Sequence, residues 1–149
     1  MATLNVTITE EMTLNGKDQG NTNTLSISTV SAVINRIMTI DSTEEDILNF
    51  QDDREAAGAI EDTTLQYLRV THISSANTVN LRIQSTGDAK EYIVQLAAGE
   101  SFMLFNDNAM DVNTGGDIDS TASLSQLDTI KALCSSGDGA ELELFAVAT

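Results

Sequence analysis

The chain has few of the residues on which catalysis, metal binding and covalent cross-linking usually depend. A single cysteine, Cys134, excludes an internal disulfide and with it the disulfide scaffolds of small secreted proteins. A single histidine, His72, excludes a metal site with two histidines from one chain, and a histidine-based triad would have to use it. Tryptophan is absent and aromatic residues make up 4% of the chain, so aliphatic side chains must build most of the core.

Short motifs of nucleotide, hydrolase and redox chemistry are also absent from the sequence. It has no Gly-x-Ser-x-Gly elbow, no Cys-x-x-Cys pair, no Gly-x-x-x-x-Gly-Lys loop and no Gly-x-Gly-x-x-Gly fingerprint. Cys134 shares a predicted strand face with Ile130, and His72 shares one with Val70. We therefore expect both to be packing residues, and we predict that the chain is not an enzyme.

Positive charge is scarce. Seven Lys and Arg stand against 23 Asp and Glu, which gives a formal net charge of −16. Such a chain repels nucleic acid and anionic lipid and keeps free subunits soluble. No stretch approaches the roughly 18 apolar residues of a membrane span, and residues 1–7 lack the basic region and apolar run of a secretory signal. We expect neither a nucleic-acid partner nor a membrane, and synthesis in the cytosol.

The length and the hydrophobic pattern predict a single β-domain over residues 1–149. A chain of this size buries enough surface to fold without a disulfide or a metal. β-Branched residues and two-residue alternation dominate between clusters of Gly, Asn, Asp and Ser. We predict an all-β fold, a single antiparallel β-sandwich or jelly roll of roughly eight to ten strands. Exposed edge strands and an apolar run predict a homo-oligomer, a dimer or a trimer.

The first half of the chain leaves two elements ambiguous. Residues 33–40 favour a strand over a helix at residues 30–38, because β-branched residues disfavour helices. Residues 47–50 fit a strand, but Ser42 and Glu45 also fit a capping box that would begin a short helix. Before them, the pattern predicts a half-buried strand at residues 4–9, which either ends there or continues through Met12 to Leu14. It also predicts a tight turn at Asn15-Gly16, a loop from Lys17 to Asn23 and a strand at residues 25–27.

The second half has a clearer strand pattern. Strands at residues 66–71 and 79–84 are separated by a short polar turn, and we predict that they form a hairpin. Residues 102–105 are apolar on both faces, which is typical of the middle of a sandwich or of a subunit contact. Further strands are predicted around Tyr92 to Leu96 and at the two C-terminal segments 130–134 and 141–147.

Two groups of acidic and other oxygen-bearing residues are the remaining candidates for catalysis or metal binding. Glu141 and Glu143 lie two residues apart on one strand face, as a glycosidase pair could, but an exposed edge has the same spacing and aromatic platforms for sugars are few. The polar segment 106–127 fits a partner-binding loop or a solvated acidic one. Its oxygen-bearing side chains are weak calcium candidates without EF-hand spacing, so we assign no metal or cofactor; they are Asp107, Asp111, Asn113, Asp117 and Asp119.

Three segments of the last 85 or so residues carry a resemblance to a known family. They are Tyr67 to Ile83, YLRVTHISSANTVNLRI, then residues 96–104, and then residues 127–132 with 141–149. In this order they resemble the "YxRITNxDxxNxxxLxI" segment, the "LxxGxSF" segment and the C-terminal strands of small virion structural proteins of marine tailed bacteriophages, especially cyanophages. His72 stands where that family usually has Asn, so the resemblance does not carry over the hydrogen bonding of this turn.

The resemblance implies a structural role in a virus particle, with no active site to carry over. Within that role we favour a capsid decoration, or cement, protein that stabilises the head shell, since small β-domains suit repeated attachment. Its partners would be the major capsid protein or other virion proteins, and it would be made in the host bacterial cytoplasm. The alternative is a neck, tail or fibre component that binds a receptor or glycan through residues 106–127.

Overall fold

The computed structural model describes residues 2–50, 60, 64–85, 90–105, 127–137 and 139–149. The described residues form β-strands and no α-helix, and they contain no helix long and apolar enough to cross a bilayer. The strands are β1 (Ala2–Glu10), β2 (Thr13–Leu14), β3 (Lys17–Asp18), β4 (Asn21–Val30), β5 (Ala32–Ile40), β6 (Glu45–Asn49), β7 (Leu65–His72), β8 (Thr78–Ser85), β9 (Lys90–Ala97), β10 (Ser101–Leu104), β11 (Thr129–Cys134) and β12 (Ala140–Ala148).

Eight of these strands form two antiparallel sheets that pack face to face. The first sheet has the order β10-β7-β12-β5 and the second has the order β6-β11-β8-β9. The predicted all-β sandwich is therefore confirmed. The other four strands lie outside the sandwich, where β1 pairs with β4 and β2 pairs with β3.

The core lies between the two sheets and is almost entirely aliphatic. In β8 and β12 buried and outward side chains alternate, so each strand gives one face to the core. Leu81 and Ile83 of β8 and Leu142 and Leu144 of β12 are at most 1% exposed. Aliphatic packing thus supplies the core, as the scarcity of aromatic residues predicts.

The predicted hairpin of the strands at 66–71 and 79–84 is wrong, because these strands lie in different sheets. β7 pairs with β10 and β12, whereas β8 pairs with β9 and β11. The connection crosses the end of the sandwich, and its last residue, Asn77, has a φ of 71°. Each of these strands buries one face. Because the strands lie in opposite sheets, the two buried faces pack in the same core. The strands β9 and β10, and likewise β11 and β12, also lie in opposite sheets.

Several other sequence predictions can be compared with the strands. Residues 32–40 form strand β5, as favoured, and residues 45–49 form strand β6 rather than a capped helix. Asn15 and Gly16 have φ of 52° and 75°, which confirms the tight turn. The predicted loop over residues 17–23 is wrong, since β3 and the start of β4 lie there. Residues 101–104 form an edge strand, β10, in which Phe102 and Leu104 are partly buried against the core, whereas Met103 and the following Phe105 are exposed.

Gly139 lies in the connection between β11 and β12, and its substitution tests whether the backbone there requires glycine. Its φ of 76° is strained for any residue with a Cβ, and a Cβ would lie 3.2 Å from Cγ2 of Thr39. We expect Gly139→Ala to lower the free energy of unfolding by about 1–2 kcal/mol. Denaturant unfolding should show this as a lower midpoint.

Gly137 provides the matched control in the same connection. It has no positive φ, and a Cβ added there meets no atom within 4 Å. Gly137→Ala should therefore leave the free energy of unfolding unchanged or slightly raised. An equal loss of stability in both variants would contradict the strained geometry at Gly139.

Candidate functional site

Among the described residues, Cys134 and His72 are not hydrogen-bonded to each other, because neither ring nitrogen of His72 has a partner. Cys134 ends β11 and is 1% exposed, so the prediction that it is a core residue is confirmed. His72 ends β7 in the first sheet and is fully buried. Glu143 points outward from β12 and forms an ion pair with Arg69, with 2.8 Å between Oε2 and Nη1. In the described ranges no three His, Cys, Asp or Glu residues are placed to hold a metal ion.

The predicted calcium candidates lie outside the described residues. They are Asp107, Asp111, Asn113, Asp117 and Asp119. The binding role proposed for residues 106–127 stays a prediction for the same reason.

The outer face of the second sheet is dominated by charged pairs. Lys131 and Arg82 are cross-strand neighbours on β11 and β8. Lys131 Nζ lies 3.1 Å from Oδ1 of Asp46, and Arg82 Nη2 lies 2.9 Å from Oε2 of Glu44. These side chains are partly exposed, so each pair contributes little stability. This face is a solvated, largely neutralised surface around its two cations.

A hairpin that extends from the sandwich is the most distinctive feature of the surface. We call residues 2–30 the arm: β1 and β4 form its two strands, and β2 and β3 form its tip. Gly20 lies at the end of the tip, where a Cβ would clash with the carbonyl oxygen of Glu10. The described strands of the arm pair only with each other, so the arm is a two-stranded ribbon.

The two faces of the arm differ in chemistry. One face, the apolar face, carries Leu4, Val6 and Ile8 on β1, with Leu25 and Ile27 opposite on β4. The other face carries Thr and Ser side chains. Thr7 and Thr24 face each other there with 3.2 Å between their hydroxyl oxygens, and either hydroxyl can donate. Because apolar and polar side chains alternate along β1, one face of the arm is suited to burial and the other to contact with water.

The base of the arm packs on the outer face of the first sheet. Ile27 forms a small buried cluster there with Tyr67 of β7 and Val147 of β12. Leu4, Val6, Val30 and Phe145 are partly buried against it. The rings of Tyr67 and Phe145 lie 6.1 Å apart, edge to face. This cluster fixes the base of the arm as a partial third layer.

Towards the tip the arm loses this cover. Ile8 and Leu25 are 37% and 40% exposed, and Met12 and Leu14 are 56% and 53% exposed. The apolar face therefore continues beyond its own sandwich into solvent. An exposed ribbon of two strands is marginally stable in water.

A bulge lies at the base of the arm. Ala2 pairs with Val30 and Leu4 with Ile27, so β4 has one residue more than β1 between these pairs. Thr29 lies in this bulge with a φ of 61°. A β-branched residue rarely adopts such a φ, and it stores strain of order 1–3 kcal/mol. A strained bulge thus sets the direction in which the arm leaves the sheet.

The outer face of the first sheet stays apolar next to the arm. On β5, Val33 pairs with Val147 and Ile37 with Glu143, and both are exposed, by 50% and 63%. On the other side, Met103 and Phe105 are exposed, and the ring of Phe105 lies 5.6 Å from that of Tyr67. The arm base thus lies within a larger apolar surface that it covers in part.

The sequence contained part of this site. The alternation at Leu4, Val6 and Ile8 predicted a half-buried strand, and Asn15-Gly16 predicted its turn. The run of Thr, Ser and Asn in residues 21–28 was the signal that the second strand is largely solvent-exposed. Nothing in the pattern indicated that the apolar face would extend past the sandwich.

Substitution of His72 tests whether its buried ring nitrogens destabilise the core. Neither Nδ1 nor Nε2 has a hydrogen-bond partner among the described residues, and an unpaired buried polar atom is destabilising. We expect His72→Leu to raise the free energy of unfolding by about 1 kcal/mol, since it removes both atoms at similar volume. His72→Gln, which keeps unpaired polar atoms, should give no gain. Lower stability of His72→Leu in a denaturant titration would contradict this account.

Comparison of the chain with protein-family models, curated proteins and solved structures finds no match, so the arm and the apolar surface around its base are the basis for a functional argument.

Proposed function

We propose that this chain is a structural protein of a bacteriophage particle, a capsid decoration protein that stabilises the head shell. The observation that carries the proposal is the arm with its exposed apolar side chains beside an exposed apolar sheet face. A small protein that keeps such surfaces uncovered needs neighbours to bury them. A subunit repeated many times in a particle has such neighbours.

The resemblance of the strands to small virion proteins supports the same role. Its longest segment covers β7, the crossing to β8 and β8 itself, so it spans both sheets of the sandwich. The other segments fall on β9, β10, β11 and β12. The resemblance thus concerns the sandwich, whereas the arm precedes all of these segments in the chain.

The net charge fits a protein that is added to an existing shell. At −16 the free subunits repel each other outside any specific contact, which limits random aggregation before they meet the shell. Each contact with the shell can then be weak, because many copies related by symmetry act together. The partner in this proposal is the major capsid protein or another virion protein.

Localisation in particles tests the proposal. We expect gold-labelled antibodies against this chain to bind purified particles over the whole head surface in negative-stain images. Labels confined to the tail would contradict the head assignment and favour the neck, tail or fibre alternative. Particles without any label, but with labelled capsid protein as a positive control, would contradict a virion role.

Removal of the protein tests the stabilising role. Particles that lack this chain should assemble but release DNA at a lower temperature than complete particles, as measured by dye access to DNA during heating. Addition of the purified chain should restore the release temperature, whereas an unrelated acidic protein of similar size should not. Equal release temperatures with and without the chain would contradict a cement function.

A further inference from the structure

We propose that the apolar face of the arm binds a second copy of this chain, on the outer face of its first sheet. The inference deepens the structural role proposed above, and it concerns the purified chain, so it can be tested without particles. The argument starts from the uncovered part of the arm. Ile8 and Leu25 are exposed, although they continue the row of side chains that Ile27 begins in a buried cluster.

The contact within one chain identifies the surface that this face fits. Leu4, Val6 and Ile27 pack on Tyr67, Phe145 and Val147, which project from the outer face of the first sheet. The structure therefore shows that the apolar face of the arm packs on the apolar side chains of this sheet face. Every copy has the same sheet face, and its own arm base covers only part of it, so a second copy offers the uncovered part.

This sheet face has room for more than the arm base. Val33 and Ile37 on β5 stay exposed beside Val147 and Glu143. Met103 and Phe105 stay exposed on the opposite side of Tyr67. The distal half of an arm from a second copy, placed on the β5 side, would bury Val33 and Ile37 together with its own Ile8 and Leu25. Both surfaces lose apolar area to water in one contact.

Charge favours this pair of surfaces in a strongly acidic chain. The charged residues of the arm all lie at or next to its tip; they are Glu10, Glu11, Lys17 and Asp18. The outward residues of β5, from Val33 to Thr39, are uncharged. On β12 beside them, Glu143 is paired with Arg69, and Glu141 lies next to Thr39, at the end of this row farthest from Val33. Two copies can thus meet through the middle of the arm and the Val33 to Ile37 part of β5 with little repulsion between acids, which is stronger elsewhere on a chain of charge −16.

The contact joins different surfaces of the two copies, and it closes in a symmetric assembly. In a dimer the distal half of each arm lies on the sheet of the other copy, and in a trimer it lies on the next copy around the ring. The strained bulge at Thr29 lies where the arm would change direction between these arrangements. Both give a mass that is a small multiple of 15.9 kDa.

A pair of charge substitutions on neighbouring residues tests the contact. Leu25→Asp places a charge on the apolar face, and Thr24→Asp places the same charge on the opposite face of the same strand. We expect the wild-type chain to be a dimer or trimer by light scattering and sedimentation. Leu25→Asp should raise the dissociation constant at least about tenfold, the effect of roughly 1.4 kcal/mol, whereas Thr24→Asp should change it little.

Ile37→Asp tests the sheet side of the same contact. Ile37 is exposed by 63%, so this substitution should keep the β-fold, as judged by the circular dichroism spectrum, while it weakens association as Leu25→Asp does. Ile37 lies on the sheet and not on the arm, so Ile37→Asp still tests the contact if Leu25→Asp disturbs the structure of the arm. A wild-type chain that stays monomeric at the highest concentration reached would overturn the proposal, as would association that neither Leu25→Asp nor Ile37→Asp weakens. Neither result bears on localisation in particles, which tests the virion role separately.

Cross-linking tests the geometry of the contact. In a Cys134→Ala background, chains with Leu25→Cys and chains with Ile37→Cys, distinguished by mass tags, are mixed and oxidised. We expect a disulfide between the two kinds of chain. Thr24→Cys in place of Leu25→Cys should form it much less. Equal yields from the two arm positions would contradict the orientation of the arm.

Discussion

Strand β12 has apolar side chains on both of its faces over its second half, and both apolar clusters of the molecule depend on this strand. Leu144 and Ala146 point into the sandwich core, while Phe145 and Val147 point outward beneath the base of the arm. β12 also lies between β5 and β7 in its sheet, so its register aligns the neighbours on both sides. A strand buried on both faces is typical of an inner layer, and here the arm is part of the third layer.

The alternation of side chains predicted which faces are buried far better than which strands are neighbours. Val79, Leu81 and Ile83 are buried as the pattern indicates, and so is Cys134. The predicted pairing of β7 with β8 was wrong because alternation shows which side chains face the core. It contains no information on which strand lies next to it in the sheet. A short polar connection fits both a hairpin and a crossing between sheets. The pairing depends on long-range contacts, such as those of β12 with β5 and β7.

The candidate site was predicted only in pieces for a similar reason. Leu4, Val6 and Ile8 indicated a strand with one apolar face, and such a face normally lies on the core. Here only the base of that face is covered, because Tyr67, Phe145 and Val147 project from one end of the outer sheet surface. A single sequence contains the pattern of the arm and the pattern of the sheet, but their relative position depends on the fold. The exposure of Ile8 and Leu25 therefore had no signal in the sequence.

Free β-edges make the choice of partner important for this molecule. Both strands of the arm, and the outer strands of both sheets, have one unpaired edge among the described residues. Such edges allow open-ended strand addition, and exposed apolar side chains increase the risk. The high negative charge opposes random contacts, whereas the uncharged surfaces of arm and β5 allow one particular contact. If that contact closes on itself by symmetry, it covers apolar area in a finite assembly and leaves the charged outer face of the second sheet in solvent.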